Sequence, residues 1–331
     1  MKKILFLTTG GTIASSESEE GLVPALTSEE LIGYLGHHQQ YAKIYCEDLL
    51  RLDSSNMQPE EWLLIAKRIY EVVPEYDGIV LTHGTDTMAY TASALSFMLE
   101  NLPIPVIVTG SQLPLQHPLS DGVDNIRCAF HAAMQDALTG LYVCFNRQLI
   151  LGTRAVKVRT MHLNAFESVN VPPVGLVSAR GMTLQQPLLI HPRGKFRLNE
   201  TLCEQVFLLK LTPGINPDIF DMLLQMNYKG VVIEAFGAGG MHFERRDLIQ
   251  KLEMMVEKGI SVVACSQCLY ENSDFSIYQT GQKVLQKGVI QGLDMTSEAA
   301  LTKLMWALGK SQDPKVVKAL FETNLVNEIT L

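Results

Sequence analysis

The feature that most constrains this fold is a repeated alternation of short β-rich runs with amphipathic helical stretches. "KKILFLT" reads as a strand, and "TSEELIGYL" as a helix with Thr27 as N-cap and Glu30 closing a capping box. The strand "IYCEDLLRL" precedes the helix "PEEWLLIAKRIYEVV", whose Pro59 suits a first helical turn. "DGIVLTH", "IPVIVTG" and "GLYVCF" continue as strands, with the helices "TMAYTASALSFML" and "DNIRCAFHAAMQDAL" between them. Such alternation predicts βαβ units around a mostly parallel sheet. The expected class is α/β, with a larger N-terminal domain over 1–186 built on that sheet flanked by helices. Periodicity loosens over 187–205, where prolines, a glycine and clustered charges predict a linker. Strands "VFLLKL", "GVVIEAF" and "GISVVACS" and four further helical patterns then predict a smaller C-terminal α/β domain over 206–331.

Composition narrows the partners. A chain that is 47% hydrophobic and 19% charged can bury a sizeable core. Its net charge of −8 argues against a nucleic-acid partner, and no basic run marks a membrane-surface segment. No stretch reaches the ~18 apolar residues of a membrane span. The apolar run after "MKK" is about five residues, shorter than the ~7–15 of a signal peptide, and no small-residue cleavage site follows. A cytoplasmic location without disulfides is therefore expected. Cys265 and Cys268 form a C-x-x-C pair, but no second pair or nearby histidines complete a metal set, so they read as structural thiols.

Ligands of parallel sheets bind outside the carboxyl ends of the strands. The first four predicted strands leave through "TTGGT", "DSSN", "THGTDT" and "TGSQ". Each alone is ordinary turn and cap chemistry. Four in succession on one rim would line a crevice with hydrogen-bonding groups, suited to a small zwitterionic ligand. Gly10 and Gly11 would let backbone N–H groups face that crevice, for a phosphate or an oxyanion. The P-loop lysine and the G-x-G-x-x-G spacing are both absent.

Threonine hydroxyls need a base before they attack. His83 lies in a strand end and reads as structural; His37 and His38 are weak candidates. There is no G-x-S-x-G elbow. Lys157, in "GTRAVKVRT" after an expected β-hairpin, could serve if burial disfavours its ammonium form, although most such lysines are surface groups. From these residues alone the site is polar and hydrolase-like, with its base unassigned.

"TTGGTIA", "HGTDTMAYTA" and "TGSQLPL", in that order, resemble the signatures of the bacterial-type L-asparaginase family, specifically its cytoplasmic type I group. "LDSSNM", "GTRAVKVRT", "LLKLTPG" and "GLDMTSEAALTKLMWAL" extend the resemblance nearly end to end. It implies hydrolysis of L-asparagine to L-aspartate and ammonia through an acyl-enzyme, with Thr12 as nucleophile. It implies a second group of Thr85, Lys157 and Asp86, with Lys157 as base and Asp86 orienting it and holding the substrate α-amino group. Ser54, with Ser55 beside it, would bind the α-carboxylate. The main chain of Ser111 would contact the scissile amide, and Gly11 would be a further substrate-binding position. No metal or organic cofactor is implied, and the family's assemblies imply a homodimer or homotetramer. A glutamine-preferring amidase and a catalytically weak asparagine sensor are the alternatives. The amidotransferase subunit of this family carries an extra N-terminal domain, whereas this chain starts two residues before its first strand.

Two positions depart from the family pattern. Leu22 stands where a loop tyrosine usually partners the nucleophile, and leucine cannot relay a proton; Ser15, Ser16 and Glu17 are the substitutes in the loop, Tyr34 and Tyr41 are others at a helix or its end, and the remaining alternative is that Thr85 carries more of the chemistry. The loop itself, "SESEEGLVPAL", has the composition of a lid. Glu234 stands where some type I members place an arginine for an effector asparagine, and its carboxylate would repel that ligand's own.

Overall fold

The computed structural model describes residues 1–18, 21–24, 27–277 and 279–330, with 14–18 and 21–24 described by backbone alone. The described chain forms two compact units, Met1–Glu200 and Thr201–Leu331.

The first unit is built on strands β1 (Lys3–Gly10), β2 (Lys43–Leu52), β3 (Gly78–Thr82), β4 (Pro105–Thr109) and β5 (Gly140–Phe145). They lie side by side in the order β2–β1–β3–β4–β5, all parallel. Three antiparallel strands extend the sheet beyond β5: β6 (Gln148–Leu151), β9 (Gly175–Ser178) and β10 (Gly181–Leu184). The β5–β6 hairpin turns on Asn146 and Arg147, both at positive φ (46° and 62°). That left-handed pair matches the twist of the strands it joins. Asn125 Oδ1 accepts from the Asn146 N–H at 2.9 Å and Asp124 clamps the Arg147 guanidinium, which offsets the strain of two non-glycine residues there. A short ladder outside the sheet pairs β7 (Ala155–Lys157) with β8 (Phe166–Ser168).

Helices cover both faces, which is why the central strands are apolar nearly throughout rather than alternating. Helices α1 (Ser28–Gly33) and α4 (Gly122–Ala133) bury Leu31, Ile126, Ala129 and Phe130 against Ile4, Phe6, Val80 and Ile107. The α1 capping box forms as expected: Thr27 accepts from the Glu30 N–H, and Glu30 accepts from the Thr27 N–H at 2.8 Å. Helix α3 (Met88–Met98) packs against β5 and is buried on nearly all sides. Its hydroxyls are therefore bonded internally, Ser93 to the Gly152 carbonyl and Ser96 to the Ala92 carbonyl. Helix α2 (Pro59–Val72) lies beside α3 and starts at the expected Pro59. Among the described residues, no helix is long and apolar enough to cross a membrane.

The second unit is a smaller four-stranded parallel sheet of β11 (Val206–Lys210), β12 (Gly230–Ala235), β13 (Ser261–Ser266) and β14 (Ile290–Gln291). Helices α5 (Ile219–Gln225) and α6 (Leu248–Glu257) enclose its core with Phe220, Leu223, Leu248 and Leu252. Helix α7 (Ser297–Lys310) packs against β12 and β11. Glu234, near the end of β12, accepts from the Ser297 hydroxyl at 2.6 Å and faces Lys210 at 3.6 Å. Cys265 is buried, and burial pushes its thiol up to about 12, which keeps it protonated and unreactive.

An ion pair closes the second unit. Lys303 of α7 and Glu328 are both fully buried, with Nζ 2.5 Å from Oε1. Lys303 also donates to the Thr323 carbonyl, and Glu328 accepts from the Leu325 and Val326 N–H groups. Removing one partner would strand the other charge in a dry site. Lys303→Met should therefore lower unfolding free energy by about 3–5 kcal/mol. Urea denaturation followed by circular dichroism measures this, and a loss under about 1 kcal/mol would show that the pair contributes little.

Candidate active site

The first four parallel strands are neighbours, so their four exits share one edge of the sheet. β1 leaves through Gly10 and Gly11 with positive φ of 100° and 85°. Both need glycine for space as well as backbone angle. A Cβ on Gly10 would sit 2.5 Å from the Leu52 carbonyl oxygen, and one on Gly11 would sit 2.4 Å from the Gly84 nitrogen. The exit of β1 thus lies directly against the exit of β3. Gly84 in turn abuts Ser54, whose Oγ would be 2.5 Å from a Cβ there. Backbone contact between Gly11 and Gly84 brings together the loops that carry Thr12 and Thr85.

Gly11 does not offer its N–H to the crevice as its position in the chain led us to expect. That N–H donates to the Leu52 carbonyl at 3.0 Å and seals the end of the β1–β2 ladder. Thr12 follows, half-buried, at the start of a 3-10 turn over Thr12–Ala14. Beyond it, Ser15–Ser18 pairs with Gly21–Pro24, placing Leu22 opposite Glu17 in register. The side chains of Leu22, Ser15, Ser16 and Glu17 lie outside the described residues. The two tyrosines considered as substitutes are engaged elsewhere: Tyr34 packs on the α1–α4 core, and Tyr41 stacks with His38 and His131.

The β2 exit places Ser54 and Ser55 differently. Ser54 is buried; its Oγ accepts from the Asp86 N–H at 3.3 Å and its carbonyl accepts from the Thr87 hydroxyl at 2.7 Å. Ser55 is exposed and turns back, its N–H and Oγ both donating to Asp53 Oδ1 at 2.8 and 2.6 Å. Those bonds hold the Asp53 carboxyl below the usual range. Asp53 therefore caps the turn, and Ser55 is spent as its donor.

The β3 exit carries the charged centre. Lys157 Nζ lies 2.8 Å from Thr85 Oγ1 and 2.5 Å from Asp86 Oδ1. Thr85 is buried, while the Asp86 side chain is 63% exposed, so this ion pair lies at the solvent boundary. Lys157 comes from the end of β7, more than seventy residues away in sequence. Ladder pairing of Lys157 with Phe166 fixes its height above the sheet.

The β4 exit adds Ser111 and Gln112. Ser111 is buried and donates its hydroxyl to the Leu113 carbonyl at 2.5 Å, which commits that hydroxyl to the turn. Gln112 Oε1 accepts from the Thr85 hydroxyl at 3.1 Å. Asp121, at the start of α4, accepts from the N–H groups of Gln112 and Leu113 and from Asn125 Nδ2. Gln112 lies inside the "TGSQLPL" stretch, but nothing in the sequence gives its side chain a role there, and Asp121 sits among ordinary turn residues.

His83 is fully buried, and desolvation depresses it from 6.5 to about 4. Its tautomer follows from its neighbours. The Gly84 carbonyl, 2.7 Å from Nδ1, only accepts, so Nδ1 carries the proton. Thr91 Oγ1 accepts from Trp62 Nε1 at 2.9 Å and donates its own proton to His83 Nε2 at 2.9 Å. A neutral imidazole with both nitrogens committed is a brace for Gly84, in keeping with the structural reading of His83.

The family model described as "Asparaginase, N-terminal" matches residues 3–189, and "Glutaminase/Asparaginase C-terminal domain" matches 205–321. The chain belongs to the asparaginase family. It is 42% identical to the L-asparaginase of Thermococcus kodakarensis over 99% of both chains. The solved structure of the thermostable L-asparaginase from that organism superposes with a TM-score of 0.94 at 41% identity, covering 99% of each chain. The chain is also 38% identical to a component of the glutamyl-tRNA(Gln) amidotransferase of Metallosphaera sedula, covering 98% of this chain and 76% of that one.

The glycine contact and the buried imidazole each have a measurable consequence. Gly11→Ala forces a Cβ into the Gly84 backbone at a positive φ, so turnover should fall at least tenfold and the melting temperature by several degrees, as strain of about 1–3 kcal/mol dictates. Calorimetry and ammonia release measure both, and parental values for each would show that the two exits do not depend on this contact. For His83, the unfolded chain binds a proton near pH 6.5 and the folded chain only near 4. Between those values the unfolded state holds more protons, so stability falls as pH is lowered across that window, by up to about 3 kcal/mol. Urea titrations at stepped pH should show a shallower decline in His83→Gln than in the parent; equal slopes would contradict the buried neutral imidazole.

Proposed function

We propose that this chain hydrolyses L-asparagine to L-aspartate and ammonia, working in the cytoplasm as a homodimer or homotetramer. The observation that carries this reading is Lys157 Nζ within hydrogen-bond reach of both Thr85 Oγ1 and Asp86 Oδ1. A lysine that bridges a hydroxyl and a carboxylate at a strand-end crevice can accept the hydroxyl proton, while the carboxylate orients it. The crevice also suits the substrate. A free amino acid carries one positive and one negative group, and Asp86 and Ser54 are adjacent partners for the two.

In this reading the Thr12 hydroxyl attacks the side-chain amide carbon of asparagine. A C–O bond forms and the carbonyl π electrons move to oxygen, where main-chain N–H groups near Thr12 stabilise the oxyanion; one such donor contributes about 3–4 kcal/mol. Collapse breaks the C–N bond, and the nitrogen leaves as ammonia after taking the proton that the Thr12 hydroxyl gave up on attack. Water, activated by the Thr85–Lys157 pair, then attacks the β-aspartyl ester, releasing aspartate and returning the proton to Thr12. Glutamine is the second substrate to consider, because of the likeness to the amidotransferase component.

Purified protein given L-asparagine should release ammonia, and exhaustive dialysis against EDTA should leave the rate unchanged. Thr12→Ala, Thr85→Ala and Lys157→Met should each lower kcat by about 10³-fold or more, as loss of an essential nucleophile or base does. kcat/KM should favour asparagine over glutamine. Parental turnover in both threonine variants would overturn the assignment, and asparagine binding in calorimetry without product would make the chain a sensor.

A further inference from the structure

We propose that Gln112 is a positioning residue that sets the direction of the Thr85 hydroxyl and ties it to the segment carrying Lys157. This rests on the reading of Thr85 and Lys157 as catalytic. The orientation of the Gln112 carboxamide is fixed by chemistry. Its Nε2 lies 3.0 Å from the Thr160 carbonyl oxygen and 3.3 Å from that of His162. Carbonyl oxygens only accept, so that end of the amide is the NH₂ group, and the other end, 3.1 Å from Thr85 Oγ1, is Oε1.

Oε1 also only accepts, so the single proton of the Thr85 hydroxyl points at Gln112. Lys157 Nζ, 2.8 Å from the same oxygen, then donates into a lone pair. This is the resting arrangement, with Lys157 as donor; the Gln112 bond holds the Thr85 rotamer, and the hydroxyl proton passes to Nζ only when the lysine is the neutral amine and the hydroxyl turns to it. The anchor is rigid at both ends. Thr160 and His162 lie in the connection that leaves β7 directly after Lys157, and Asp121 clamps the Gln112 main chain from α4. One side chain thus joins the exits of β3 and β4 to the lysine-bearing segment.

Since Gln112 acts through Thr85, its loss should appear in kcat and leave KM nearly unchanged. A misplacement of the reacting pair by about 1 Å costs on the order of a hundredfold in rate. Gln112→Met keeps the volume and removes the amide; its kcat for asparagine should fall about ten- to a hundredfold with KM within about threefold of the parent. Gln112→Glu keeps an acceptor for Thr85, loses the donor to the Thr160 and His162 carbonyls, and adds a negative charge one hydroxyl away from the lysine, which favours the ammonium form over the base form. Among the described residues, the charged groups bonded to this cluster are Asp86 at Lys157 and Asp121 at the Gln112 main chain. The pH of half-maximal kcat on the acid side should therefore rise by about one unit in Gln112→Glu. A purely structural role would lower stability or rate at every pH and leave that limb in place.

The experiment measures kcat, KM and the pH–rate profile of both variants beside Thr85→Ala and Lys157→Met, with folding checked by circular dichroism. A parental kcat in Gln112→Met, or an unmoved acid limb in Gln112→Glu, overturns the positioning role while loss of turnover in the other two upholds the catalytic reading. Parental turnover in Thr85→Ala and Lys157→Met overturns both. If Gln112→Met does not fold, the acid limb of Gln112→Glu decides.

Discussion

Everything at the candidate site depends on a backbone contact between two glycines. Gly11 follows the strand Lys3–Gly10, Gly84 lies just beyond Gly78–Thr82, and no side chain separates them. Parallel pairing makes the contact possible by bringing both strands to the same edge at the same height. Absence of Cβ atoms makes it close. A side chain at either position would push apart the loops bearing Thr12 and Thr85, and Ser54, packed against Gly84, would move with them.

On that frame the polar groups divide into those that build and those left for chemistry. Gly11 N–H, Ser55, the Ser111 hydroxyl and both nitrogens of His83 are consumed by local bonds. A buried donor or acceptor without a partner costs about 1–3 kcal/mol, so strand ends this crowded with hydroxyls must satisfy most of them internally. Thr85, Lys157 and Asp86 form one connected set at the solvent boundary instead. There a charge can be kept without the full penalty of burial. The depressed, fully committed imidazole of His83 is braced in place and holds no free nitrogen for proton transfer.

Much of the fold was legible in the chain because its signals are local. The Thr27–Glu30 capping box, Pro59 at a helix start and the apolar strands depend on residues a few positions apart, and each formed as expected. The rim of hydroxyl-rich exits was legible as well, since strand order in parallel sheets puts carboxyl ends together. Gln112 was not. Its importance comes from carbonyls at 160 and 162 and a hydroxyl at 85, none of which sequence spacing relates to it. The turning-away of Ser55 was hidden for a related reason: two adjacent serines look alike until one is claimed by Asp53.

What the amino-acid order determined alone was the set of elements and the hydroxyl-rich strand exits, because hydrophobic period, caps and glycine tolerance act within a few residues. Which hydroxyl meets the lysine, which serine stays buried and which N–H groups are spent were decided only by tertiary structure. Hydrogen bonds of 2.5–3.3 Å are set by the relative placement of segments tens of residues apart, and that placement follows from packing the whole sheet.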